Sequence, residues 1–451
     1  MVSTVKLILH NLHKRCGDLW WYAALLFIAQ RFGDVINLFV GMWLVPRYVP
    51  QEELGAVLPL TQMASFLALP LSIVSIPFMK FITIFVDNGE LGRAKAFVRD
   101  VFVSVIVLTL VSLFLAFFML PVIFSRLHVE VGSLGVLVVA ISVLSSTSSI
   151  FGYAVQGFKM YTTTIWIQVL QAPLRLVLML VSMPYRAIAG YMVGQTAGPI
   201  VQITAALFAC RSKFGRKVAA KPYWSEYGRA MICYTVPFAL WSIVGTLSNS
   251  IDMLVVRHRL SEMDSAGYYI LTRFTDIASY VGLAVSGFLF PMVASISDAC
   301  KESRKMLFQS LAGTVLGGGA IVVLLSLWGK SILGLLPEWS LYVGMSHLFP
   351  LLGAVTVAGS VNACFITYET AQGRFGFLKY AIPIFLTKSI FLYLITGHEF
   401  FCGLVPDYVM ETLSMISPCR LHFVLKVFLI GQLMFAVAFL VELLFRNRKE
   451  K

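Results

Sequence analysis

Twelve apolar runs, each about twenty residues or longer, divide this chain, and short charged segments separate them. A helix rises 1.5 Å per residue and needs roughly 20 apolar residues to cross the hydrocarbon of a bilayer. The runs lie at roughly 20–45, 54–84, 98–124, 132–155, 163–184, 187–210, 230–256, 266–293, 307–328, 341–366, 377–397 and 421–445. Hydrocarbon offers no partner to backbone N–H and C=O groups, so runs of this length fold as helices. The reading is an all-α polytopic membrane protein with twelve transmembrane helices. Only 13% of residues are charged and 59% are hydrophobic, whereas a soluble domain carries about 25% charged residues. Residues 1–19 are mixed and basic, with no small-residue cleavage site after an early apolar core, so the first span is expected to be retained.

The net charge of +13 would suggest nucleic acid in a soluble protein. Here the cations gather in alternate loops, which is a topology signal instead, and no nucleic-acid partner is expected. One side holds the N-terminus, Arg93, Lys95, Lys159, the 211–229 segment, Lys301, Arg304, Lys305, Arg374 and the tail from Arg446 to Lys451. The other side holds fewer: Arg47, Arg126, Arg186, Arg257, Arg259, Lys330 and Arg420. Both termini are therefore expected in the cytoplasm, with the chain in the cell (inner) membrane. Cys402 and Cys419 share one expected outside loop. They form a disulfide if that compartment is oxidising, or stay as two thiols if it is not. The seven cysteines make no metal pattern and no nucleotide-binding loop appears, so no cofactor is expected.

The basic stretch with Pro222 divides the chain into an N-terminal bundle, 1–215, a cytoplasmic linker, 216–229, and a C-terminal bundle, 230–451. The halves repeat. Asn37 and Gly55 recur as Asn249 and Gly267 at an offset of about 212, and Gln156-Gly157 recurs as Gln372-Gly373 at about 216. Six spans per half keep the repeats parallel, about an axis along the membrane normal.

Charges inside spans need a reason, since each costs roughly 2.5–3.5 kcal/mol on insertion scales. Arg31-Phe32-Gly33-Asp34 and Arg273-Phe274-Thr275-Asp276 each place an Arg and an Asp three apart on one helix face. Gln30, Arg31, Asp34, Asn37 and Gly41 form a polar stripe at helical spacing. Two readings stand: internal ion pairs that fix packing, or walls of a path for an anionic headgroup. The 212 offset maps Arg31 near Ile243, so the quartets are not repeat equivalents and are expected at different depths. Arg175 and Lys388 have no acidic neighbour on their own helices and need a partner from elsewhere, such as Asp252, a Gln or a ligand anion. Asp34, Asp252 and Asp276 also suit coupling to H⁺ or Na⁺. Gly317-Gly318-Gly319 is expected to loosen its span, and Pro59, Pro70, Pro77, Pro237 and Pro291 to kink theirs.

Several of these features together resemble a family. They are the six-plus-six arrangement, the acidic turn then Gly opening spans two and eight, and the Gln-Gly endings of spans four and ten. The basic loop Gly89-Glu90-Leu91-Gly92-Arg93-Ala94-Lys95 adds to them. The chain resembles polysaccharide flippases of the multidrug/oligosaccharidyl-lipid/polysaccharide (MOP) exporter superfamily. The resemblance implies two six-helix bundles forming a V around a central cavity. It implies transport of an undecaprenyl-diphosphate-linked oligosaccharide from the cytoplasmic to the outer leaflet, and glycan polymerase and glycosyltransferases as partners. Relatives that flip the peptidoglycan lipid precursor carry cavity arginines on helices one, two and eight. Arg31 and Arg273 resemble the first and last of these, but span two has only Lys80 near one end, and the chain stops at twelve spans. An O-antigen or surface-polysaccharide type is therefore favoured, with Arg31, Arg175, Arg273 and Lys388 as cavity cations. The alternative is an ion-coupled multidrug or metabolite antiporter on the same fold. A membrane-embedded glycan polymerase is disfavoured because the outside loops are mostly short.

Overall fold

The computed structural model describes residues 25–127, 132–213, 222–259, 261–294, 301–396 and 420–449. Cys402 and Cys419, and the loop that holds them, lie outside the described residues. Among the described residues nine helices are long and apolar enough to cross a membrane. One of these, Tyr161–Arg211, breaks at Arg186 (φ −148°, ψ 48°) and Ala187 and so supplies two spans. Helices Glu262–Ala294 and Leu378–Thr396 complete twelve.

We number them α1 (Leu25–Tyr48), α2 (Gln51–Asp87 in three segments), α3 (Leu91–Leu127), α4 (Gly132–Gly157), α5 and α6 (the two arms of Tyr161–Lys213) and α7 (Trp224–Arg259). Then follow α8 (Glu262–Ala294), α9 (Lys301–Leu333), α10 (Phe349–Ala371), α11 (Leu378–Thr396) and α12 (Arg420–Lys449). The chain is an all-α polytopic membrane protein.

The helices form two compact units. The first comprises Met1–Val40, Leu67–Phe118 and Ser133–Thr235, and the second Gly41–Phe66, Met119–Gly132 and Val236–Lys451. Four of the five passages between units fall close to a disturbed stretch of helix; the fifth is at the start of α4, between Gly132 and Ser133. In α1 it meets a π-helical turn, Val40–Leu44. In α2 it meets the break at Ala68, with Pro70 opening the next segment. In α3 and α7 it lies near Pro121 and Pro237. Proline and π turns both remove or displace i→i−4 bonds, so these are the points where a helix bends most readily.

Within the first unit, the start of α7 is clasped to the α2–α3 turn. Arg93 lies between Glu90 (2.7 Å) and Glu226 (2.6 Å), and Tyr223 donates to Asp100 at 3.2 Å. Phe85, Phe97, Tyr223 and Tyr227 pack edge to face beneath these contacts.

The glycine run of α9 does not loosen it, for the helix is continuous from Lys301 to Leu333. A Cβ on Gly317 would come 2.8 Å from Val281, and one on Gly318 would come 3.1 Å from Val357. The run lets α9 pack closely on α8 and α10, as small residues do between membrane helices. The ends of α4 and α10 share a Schellman cap. Lys159 N–H bonds Gln156 C=O and Met160 N–H bonds Val155 C=O, while Gly373 and Arg374 make the matching pair to Thr370 and Glu369. Lys159 (φ 56°) thus corresponds to Gly373 (φ 69°), 214 residues on, so the cap geometry pairs Gly373 with Lys159 and not with Gly157, as the Gln-Gly match at about 216 suggested.

Candidate functional site: two charged clusters

α1 has two faces. Ile28, Phe32, Val35 and Phe39, at steps of four, three and four, are 44–65% exposed and present an apolar stripe to the surroundings. The stripe with Arg31, Asp34 and Asn37 is half-buried. Arg31 Nη1 stands 3.0 Å from Asp34 Oδ2, and the guanidinium lies 5.2 Å from the Phe27 ring centre. Gly33 brings α1 against Ala172 of α5, where a Cβ would be 3.7 Å from the Ala172 methyl.

Arg175 lies one turn beyond Ala172. It donates to Gln195 Oε1 of α6 at 3.2 Å, and its charge acts on Asp34 together with that of Arg31. Gln195 is thus one partner of Arg175, supplied by another helix. Among the described residues, two cations and one carboxylate from α1 and α5 make up this cluster, an excess of one positive charge. Its polar margin continues to Gln171, which donates to Gln168, and to Asn37, whose Oδ1 is buried without a hydrogen-bond partner among the described residues.

The second cluster lies in the second unit. Arg273 Nη1 is 3.2 Å from Asp276 Oδ2, and both side chains are about one quarter exposed. Arg273 crosses α1 at Gly41, where a Cβ would meet Arg273 Cδ at 2.7 Å. Gly41 falls in the π turn, whose i→i+5 pattern leaves carbonyls free to accept from side chains. Tyr269 O–H donates to Gly41 C=O at 3.2 Å, and Trp339 Nε1–H donates to Met42 C=O at 2.6 Å. The Tyr269 ring also lies 5.5 Å from the Arg273 guanidinium. The two quartets thus belong to different units: Arg31 and Asp34 to the first, and Arg273 and Asp276, packed on Gly41, to the second.

Lys388 joins neither cluster. It is buried between α11 and α12, with its ammonium 5.9 Å and 5.4 Å from the rings of Phe385 and Phe428. Its stem runs along Gly431, where a Cβ would come within 2.9 Å. It lines a cavity of about 110 Å³ with Thr387, Ile430 and Met434. Asp252 lies on α7, and its side chain is outside the described residues. Reading the sequence alone missed Tyr269 and Trp339 as partners of the π turn. Trp339 sits in a short segment between spans, where nothing in the periodicity sets it apart.

No protein-family model and no curated protein sequence matches the chain. Solved structures do. A MATE transporter in its straight conformation matches with a TM-score of 0.66 at 15% identity, over 97% of this chain and 98% of that one. An inward-facing multidrug resistance MATE transporter of the MOP superfamily matches at 0.64 and 13% identity, over 92% and 94%. The lipid II flippase MurJ, in an inward closed conformation, matches at 0.60 and 14% identity, over 93% and 87%. At these identities the likeness is one of fold, and along nearly its full length the chain has the fold shared by MATE transporters of the MOP superfamily and the lipid II flippase.

Proposed function

We infer that the chain is a transporter of the flippase kind. It carries an undecaprenyl-diphosphate-linked oligosaccharide from the cytoplasmic to the outer leaflet by alternating access, for surface-polysaccharide assembly. The observation that carries this reading is the net positive cluster of Arg31, Arg175 and Asp34 among apolar helices. A diphosphate needs paired donors, and a guanidinium offers two in one plane. The fold shared with MurJ, described as a lipid II flippase, supports a lipid-linked substrate. Arg273 supplies a further cation in the second unit, and Asp34, Asn37, Asp252 and Asp276 are the polar groups available for coupling. Both termini are placed in the cytoplasm, by loop charge, and the enzymes that build and polymerise the glycan are the expected partners.

The second reading, an ion-coupled antiporter for drugs or metabolites, is favoured by the MATE neighbours, one of which is described as multidrug resistance. A cationic drug would meet an excess of positive charge in the first cluster, which is why the flippase reading leads. The test is delivery of the glycan to the outer leaflet in cells carrying Arg31→Ala, Arg175→Ala or Arg273→Ala. Each variant is expected to lose delivery at normal membrane levels. Full delivery in all three, or drug efflux driven by an ion gradient in vesicles, overturns the reading.

A further inference from the structure

Away from both clusters, the first unit holds a cavity of about 480 Å³ between α3, α4 and α6. This lies within the range of small-ligand sites, roughly 300–1,000 Å³. Each helix contributes residues from one face: Val98 and Phe102 from α3, Phe151 and Ala154 from α4, and Thr204, Leu207, Phe208 and Arg211 from α6. The floor is closed, since Val98, Ala154 and Cys210 are buried. The Phe102 and Phe151 rings, 4.9 Å apart, form one wall. The rim is open: Leu207 is 51% and Phe208 77% exposed.

That exposure decides the class of occupant. Large apolar side chains left exposed on a membrane-spanning helix face lipid, so the groove opens into the bilayer and takes its ligand from there. Its one charge is Arg211, exposed at the end of α6. The sequence after it continues basic, with Lys213, Arg216, Lys217 and Lys221 and no acidic residue. Basic groups at the end of a membrane helix attract anionic headgroups, and each buried CH₂ of an acyl chain adds about 0.8 kcal/mol. We propose that this groove is a binding site for an anionic phospholipid of the leaflet where α6 ends, with one acyl chain along the α3–α4–α6 floor and the phosphate on Arg211. The site is separate from the transport cluster and does not depend on which substrate is carried.

The full-length protein, purified from vesicles of equal phosphatidylcholine and phosphatidylglycerol, would be delipidated stepwise and its retained lipid identified by native mass spectrometry. Phosphatidylglycerol is expected to be retained over phosphatidylcholine. Arg211→Gln is expected to lower that preference about five-fold, the factor that one cation near the surface contributes. Thr204→Trp, which fills the rim at an exposed position, is expected to lower retention of both lipids, with the melting temperature unchanged in each variant. Equal retention of the two lipids by the unaltered protein overturns the proposal. Unchanged retention in Thr204→Trp does the same, as does polyprenyl phosphate outcompeting phosphatidylglycerol when both are present.

Discussion

Gln51, at the start of α2, touches Met263, at the start of α8, and the two stand 212 residues apart. The same offset relates Asn37 to Asn249 and Gly55 to Gly267. The contact brings the α1–α2 and α7–α8 turns together within the second unit. Ser265 bonding the Gly55 carbonyl at 3.3 Å lies beside it. In a cysteine-free background, Gln51→Cys with Met263→Cys is expected to cross-link under mild oxidation or with a short bismaleimide. Mass spectrometry after proteolysis would show the joined peptides. Loss of the product with Gln51→Cys and Ser279→Cys, more than four turns further along α8, serves as the control.

Gly41 is a second point of tight fit. Gly41→Ala puts a methyl 2.7 Å from Arg273 Cδ, and Arg273 is held by Asp276 and so has little room to retreat. Overpacking of this kind costs about 1–3 kcal/mol. A lower melting temperature in detergent is the expected outcome, partly restored by Arg273→Ala.

The Arg175–Gln195 bond links α5 and α6 across the break at Arg186. A double-mutant cycle with Arg175→Met and Gln195→Leu is expected to give a coupling of about 0.5–3 kcal/mol in unfolding measurements. Simple additivity would mean that the bond contributes nothing to stability and that Arg175 is held by other contacts.

Lys159 occupies the left-handed cap position that Gly373 fills at the end of α10. A left-handed non-glycine residue costs roughly 1–2 kcal/mol. Lys159→Gly is therefore expected to be more stable than Lys159→Ala by about 1 kcal/mol, the reverse of the usual order inside a helix. Both substitutions remove the ion pair with Asp87 equally. That hydrogen bond raises the Lys159 pKa above the ordinary lysine value. Its contribution is thus present below the unfolded-state value and lost as pH rises through the folded one. As an exposed pair it is worth about 1 kcal/mol at most. An unfolding series from neutral to alkaline pH, comparing the unaltered protein with Lys159→Gly, reads the two effects separately.

The spans were legible because a helix across a bilayer leaves a plain record in apolar length. The polar stripe of α1 was legible too, since Arg31, Asp34 and Asn37 fall at helical spacing opposite Ile28, Phe32, Val35 and Phe39. What escaped was tertiary. Nothing local marks Val40–Leu44 as a π turn, because its stabilising donors, Tyr269 and Trp339, come from more than two hundred residues away. The glycines of α9 carry no label distinguishing looseness from close approach; only the side chains facing them decide it. Gln195 looked like any polar residue in a span until the fold set it opposite Arg175.

The first cluster also bears on how the chain enters the membrane. Synthesis delivers α1 long before α5. Arg31 and Asp34 sit on the same turn of helix, so α1 carries its own counter-ion and inserts as a nearly neutral rod. Arg175 arrives with no such companion on its own helix and would bear the full cost of a lone charge in hydrocarbon. By then Asp34 is already in place, and Gln195 follows twenty residues later. The cluster is therefore assembled in an order that never leaves a carboxylate stranded, and the helix that brings the unmatched cation finds its anionic neighbour waiting.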